Sequence, residues 1–186
     1  MKEGIKFYLE KQEGGPGRPG LFLTNPENTN KLVLAEQDFS PSGVVSPTQT
    51  WYWSNNMLIC STGKALDVDG NFKIANDAPV LAFEPHGESN QQFYPLKIVS
   101  SMVPDKEFCL IGILAEKDQK PSNSERVFFN IKEDGTACLN TVDDYLLEAK
   151  NKQNTIDMCW NFVYRMIPAK EGGEQVRKIS LEFLYN

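Results

Sequence analysis

Apolar positions along the chain fall into short runs rather than at helical spacing. The runs cover residues 5–10, 21–24, 31–36, 51–53, 57–60, 64–68, 79–83, 93–96, 97–99, 108–114, 126–131, 136–139, 145–149, 159–166 and 176–185. Many alternate, most are rich in aromatic or β-branched residues, and clusters of Gly, Pro, Asn and Asp separate them, which is the signature of strands. An all-β fold is predicted. Asp69-Gly70 and Asp134-Gly135 suit tight hairpins that need positive φ. The Gly/Pro string at 14–20 predicts an irregular loop, and it lacks the Lys-Ser/Thr ending of a phosphate-binding loop. The tail at 175–186 alternates Ile179, Leu181, Phe183 and Tyr185 against Ser180 and Glu182. It predicts a half-buried last strand, with 5–10 as its partner.

The runs repeat. Gln49-Thr50-Trp51-Tyr52-Trp53 is followed by Met57-Leu58-Ile59-Cys60, then Ala65-Leu66-Asp67-Val68, then Val80-Leu81-Ala82-Phe83, and closes on Asn90-Gln91-Gln92-Phe93, 42 positions after Trp51. A second copy can be drawn from Phe128-Phe129-Asn130-Ile131 through Cys138-Leu139-Asn140 and 145–149 to Cys159-Trp160. A looser one runs over the first fifty residues, closing on Trp51. Each copy is four short strands ending on an aromatic, and such a unit cannot bury its apolar face alone. Three of them fit a β-trefoil, a short six-stranded barrel capped by three hairpins, in a single domain over 1–186 with repeats near 5–50, 51–96 and 97–165. Residues 97–125 carry either the start of the third unit plus an insertion or a degenerate extra unit.

Charge and composition narrow the chemistry. With 19 Lys+Arg against 25 Asp+Glu the formal charge is −6, so the electrostatic attraction that dominates nucleic-acid binding would be repulsion here. No apolar stretch approaches the ~20 residues of a membrane-spanning helix, and the start lacks the apolar core of a secretory signal, so no membrane insertion and a cytoplasmic location are expected. One histidine, His86, and four scattered cysteines, 60, 109, 138 and 159, offer no paired metal-ligand spacing. No metal and no cofactor are expected, and the loop starting at Asp67 puts Gly70 at position four and Ala78 at position twelve, where an EF-hand needs Gly at six and Glu at twelve. A Cys–His nucleophile pair through His86 stays open, although no recognisable motif marks an enzyme.

The residues 51–96 resemble the ricin B-type lectin family, whose repeats run Cys-Leu-Asp-Val, then an aromatic-ended strand, then Gln-x-Trp. The likeness is fair over 126–165 and weak over 5–50. It implies a sugar site made of Asp67, Phe83, Asn90 and Gln91, with the ring on the apolar sugar face and the carboxylate and amides on adjacent hydroxyls. Leu81 stands where many members carry a polar side chain, and Phe83 where Trp is common. The alternative is scaffolding: an Asx-rich hairpin and a core ring. In the third repeat, the same alignment puts Asn140 at the Asp position, Ala149 at the strand end and Asp157-Met158 in place of Asn-Gln. The first repeat keeps only Thr24 and Thr48-Gln49. The family's disulfide positions fall on Ala65 and Pro85 in the best repeat, and Cys138 has Asn151 near its partner's place, so four reduced thiols are expected. The resemblance implies a lectin-like protein binding galactose-type sugars of glycans or glycoproteins. The competing expectation is a protein-binding trefoil, such as a protease inhibitor, acting through loops 14–20 and 116–125.

Overall fold

A computed structural model describes residues 4–12, 20–38, 46–70, 74–98, 108–113, 125–143 and 163–169. Its strands are β1 (Phe7–Lys11), β2 (Phe22–Thr24), β3 (Val33–Ala35), β4 (Thr50–Ser54), β5 (Met57–Cys60), β6 (Ala65–Val68), β7 (Val80–Phe83), β8 (Phe93–Ile98), β9 (Phe108–Ile113), β10 (Glu125–Ile131), β11 (Ala137–Asp143) and β12 (Tyr164–Pro168). Among the described residues the one helical element is a 3₁₀ turn, Ser89–Gln91. No helix there is long and apolar enough to cross a membrane.

All pairings among the described strands are antiparallel. β1 pairs with β4, β4 with β5, β8 with β9, β9 with β12, and β12 with β1. The remaining seam is spanned by a hydrogen bond from the Phe93 N–H to the Asn56 carbonyl, 2.8 Å. Six strands thus close on themselves, which removes the free edges a flat sheet would expose. β2–β3, β6–β7 and β10–β11 are the three hairpins. The fold is a β-trefoil.

The registers show which residues of the three units are equivalent. Glu10 lies opposite Phe22, Ile59 opposite Ala65, and Gly112 opposite Phe128. Counting from these anchors, Leu9, Leu58 and Ile111 form one set, Leu23, Leu66 and Phe129 a second, and Trp51, Phe93 and Tyr164 a third. All nine are 0 % exposed and belong to one continuous core. The third unit therefore begins at β9, inside 97–125. This corrects the alignment drawn from sequence: Phe128–Ile131 lies in the second strand of its unit, not the first, and the closing aromatic is Tyr164 rather than Trp160. The cause is spacing, since Tyr164 follows Phe93 by 71 positions where Phe93 follows Trp51 by 42. Trp160 itself, like 145–149, loops 14–19 and 116–124, and the tail at 175–186, lies outside the described residues. Both edges of β1 are taken, by β12 on one side and by β2 and β4 on the other.

Turn chemistry was half legible. Asp134-Gly135 forms the β10–β11 hairpin, with Gly135 at φ 84° and the Asp134 carboxylate accepting from the Thr136 N–H. Asp69-Gly70 instead opens a long connection, and the left-handed residue before β7 is Asp77, at φ 63°. The two-residue turn between β4 and β5 is Asn55-Asn56, both at positive φ, a type I′ geometry that asparagine tolerates.

Gly112 of β9 faces Tyr94 of β8, and a Cβ at Gly112 would stand 2.5 Å from the Tyr94 ring. Gly112→Ala is expected to cost about 1–3 kcal/mol through overpacking, read as a lower denaturation midpoint. Adding Tyr94→Leu should restore part of it.

Cys60, Cys109 and Cys138 are free and buried. Burial pushes the Cys60 and Cys138 thiols up from their ordinary range. Native protein should react slowly with a thiol reagent at neutral pH, and denatured, unreduced protein should titrate all four cysteines. Fewer than four would contradict the expectation.

Candidate functional site

Side chains directly opposite in an antiparallel pair share a face. In the second hairpin Leu66 faces Ala82 and Val68 faces Val80, and these four enter the core. The other face carries Ala65 with Phe83 and Asp67 with Leu81. Alternation along β6 and β7 thus sends the carboxylate and the ring to the same side, away from the core. There the segment from Glu84 to Gln91 folds over them.

Asp67 is the hub. It is only 3 % exposed. Its Oδ1 accepts from Asn90 Nδ2 at 2.9 Å, and its Oδ2 accepts from Gln91 Nε2 at 2.6 Å and from His86 Nε2 at 3.0 Å. The orientation of each partner follows from its other contacts. Asn90 Nδ2 also donates to the Val68 carbonyl, and Gln91 Nε2 to the Glu84 carbonyl, so both amide nitrogens face acceptors. Gln91 Oε1 accepts from the His86 and Gly87 N–H groups. His86 Nδ1 accepts from the Glu88 N–H, which leaves the imidazole proton on Nε2, where it donates to Asp67. Burial pushes the Asp67 carboxyl up from the ordinary range, and the bonds from Gln91, His86 and Asn90 together with the nearby imidazole oppose that shift.

Phe83 ends β7 with 43 % of its surface exposed, and its ring meets His86 edge-on at 6.3 Å. It is a solvent-facing ring, not a core ring. Leu81, on the same face, is half-buried. The structure thus brings together all four residues singled out in the sequence and adds His86. Gln91 is fully buried and fully bonded, so it holds the others rather than meeting a ligand.

Sequence reasoning weighed His86 only as a partner for a cysteine. Its Nε2 meets the Asp67 carboxylate instead of a thiol. The signal that could have found it is its position, three residues after the ring and four before the Asn-Gln pair.

The other units differ at the same places. In the first, Gln49 repeats the Gln91 bracket: Nε2 donates to Thr24 Oγ1 and the Glu36 carbonyl, and Oε1 accepts from the Asp38 N–H. Thr24 and Ala35 stand where Asp67 and Phe83 stand. In the third, register puts Asn130 at the Asp67 position and Asn140 at the Phe83 position, which corrects the assignment of Asn140 to the Asp position. Those two side chains bond to each other, and Asn140 also contacts Asp77, which pairs with Lys132.

No protein family profile and no curated protein matches the chain. Solved structures do. A designed three-fold symmetric protein, ThreeFoil, is 14 % identical with a TM-score of 0.51, covering 87 % of this chain and 97 % of its own. The mdaA-1 domain is 14 % identical with a TM-score of 0.52, covering 90 % and 91 %. The GlcNAcα1-4Gal-releasing endo-β-galactosidase of Clostridium perfringens is 13 % identical with a TM-score of 0.55 over 90 % of this chain, which spans 33 % of that enzyme's. At these identities the likeness bears on the fold, and the class defined is a β-trefoil protein.

Proposed function

We propose that this protein binds carbohydrate at one site, in its second unit, and acts as a lectin-like module rather than as an enzyme. The observation that carries this reading is an exposed aromatic ring beside a buried carboxylate that three donors hold in place. Such a pair offers a hydrophobic platform for the C–H face of a sugar ring and an acceptor for its hydroxyls. Asp67 and Asn90 meet the hydroxyls, Phe83 stacks, and Gln91 and His86 position the carboxylate. The likeness to one third of an endo-β-galactosidase chain is in keeping with a sugar-holding role. Galactose-type sugars on glycans or glycoproteins are the ligands this reading names. The net charge of −6 supports leaving nucleic acid out, and three free, buried thiols among the described residues suit a reducing, cytoplasmic setting.

The test is a glycan array probed with wild type and with Phe83→Leu. The ring is exposed, so Phe83→Leu should fold normally and lose most of the signal. No glycan bound by wild type would end the reading, and attention would turn to protein partners.

The pH dependence has a sign. Ligand hydroxyls donate to the ionised carboxyl, so protonating Asp67 removes an acceptor. Because its pKa is raised, affinity should begin to fall, as pH is lowered, at a pH where an exposed aspartate is still ionised. Stability runs the other way. A raised folded pKa contributes stability that is complete below the unfolded value and is lost as pH rises through the folded one. Isothermal titration and thermal melts over the acid range should show the two trends opposed, and Asp67→Asn should remove both.

A further inference from the structure

Among the described residues, the side-chain groups of Asp67, His86, Asn90 and Gln91 left for a ligand are all acceptors. Gln91 has its two amide hydrogens and its oxygen bonded, and His86 has both ring nitrogens engaged. Asn90 spends both hydrogens inward, on Asp67 Oδ1 and on the Val68 carbonyl, so its Oδ1 is the atom left over. Asp67, with about four lone-pair positions and three bonds, keeps one position, on Oδ1. That oxygen and Asn90 Oδ1 are one amide group apart.

The charge is one-sided as well. Among the described residues, Asp67 is bonded by two amides and an imidazole whose Nδ1 is itself an acceptor, and by no lysine or arginine. Glu84 and Glu88, both exposed, lie in the segment that folds over it. Lys64, three residues before Asp67, commits its ammonium to the Thr29 carbonyl and Asn30 Oδ1, at 2.9 and 2.6 Å.

We propose that the preferred ligand is an amino sugar with a free ammonium group, which donates to Asp67 Oδ1 and Asn90 Oδ1 while the C–H face of the sugar covers Phe83. This rests on the carbohydrate reading above and narrows it. An ammonium brings three donors and no acceptor, so it matches the acceptors left at this site and sets a positive charge against the carboxylate. A hydroxyl brings one donor and no charge. An acetamido group brings one N–H together with a carbonyl that would face other acceptors. Sialylated or sulfated sugars bring negative charge to a negative site and are excluded.

The experiment compares D-galactosamine, D-galactose, N-acetyl-D-galactosamine and a sialylated galactoside by calorimetry, at neutral pH and low salt. Galactosamine should bind roughly tenfold or more tightly than galactose, the gain expected of a charge-assisted hydrogen bond. That advantage should shrink with added salt, vanish in Asp67→Asn and diminish in the exposed variant Glu88→Gln. Phe83→Leu should weaken galactosamine and galactose alike. If galactosamine and galactose bind equally, or the acetylated sugar binds best, the inference falls while the carbohydrate reading stands. If none of the four binds, both fall.

Discussion

Asp67→Ala is expected to lower stability by about 2–4 kcal/mol and to abolish glycan binding. Three donors lose their acceptor at once, and a buried unsatisfied donor costs about 1–3 kcal/mol, with the half-exposed Asn90 and His86 recovering part of that from water. In a protein of this size the melting temperature should fall by roughly 4–16 °C. Asp67→Asn is not a silent change of charge. Its new amide would set a donor against Asn90 Nδ2 or against the Gln91 and His86 donors, and relief by turning Asn90 would present a donor to the ligand instead of an acceptor. A loss of about ten- to a hundredfold in affinity is expected, the worth of one charge-assisted bond of about 1.5–3 kcal/mol. Thermal melting and titration with an array hit check both variants. An Asp67→Ala protein that melts like wild type would show that the carboxylate does not organise this face.

The other large effect is expected in the core. Trp51→Ala should cost about 3–5 kcal/mol, because it empties a fully buried indole site and strands the Leu23 carbonyl, which accepts from Trp51 Nε1 at 2.9 Å. Trp51→Phe keeps most of the volume and should cost about 1–3 kcal/mol for the unmet carbonyl. Tyr164→Ala should cost about as much as Trp51→Ala, since Tyr164 holds the equivalent place and stacks on Phe129 at 5.8 Å and 16° between planes. Denaturant midpoints compare the three. If Tyr164→Ala is mild, the equivalence of the units fails at its third member.

Trp51 and Phe93 were legible because each follows a Gln-x pair at a regular distance, and repetition is the strongest signal a trefoil leaves in its sequence. Tyr164 was not, because the third unit is longer and its spacing hides it behind Trp160. The strand at 108–113 was read as apolar, but only pairing could show that it opens a unit, since an all-buried run has no alternation to betray its role. Asp67, Phe83, Asn90 and Gln91 were found by likeness. Their division of labour needed coordinates: which atoms are used up inside the site is a matter of hydrogen-bond direction, and composition does not carry it. His86 was missed because a lone histidine has no spacing partner of its own kind. The Asn55-Asn56 turn was missed because two asparagines at positive φ look like any polar pair.

The Gln49 bracket has a further consequence. Because Gln49 brackets the first unit with the same kinds of bonds that Gln91 makes in the second, the fold supplies these anchoring contacts twice and the ligand-facing side chains only once. Thr24→Asp, Ala35→Phe and Thr48→Asn, with Asp38→His at the place of His86, would write the same chemistry onto the empty frame. Two sites on one rigid body would convert a weak monovalent contact into a bivalent one on clustered ligands, where the second attachment is governed by effective concentration rather than by new contacts.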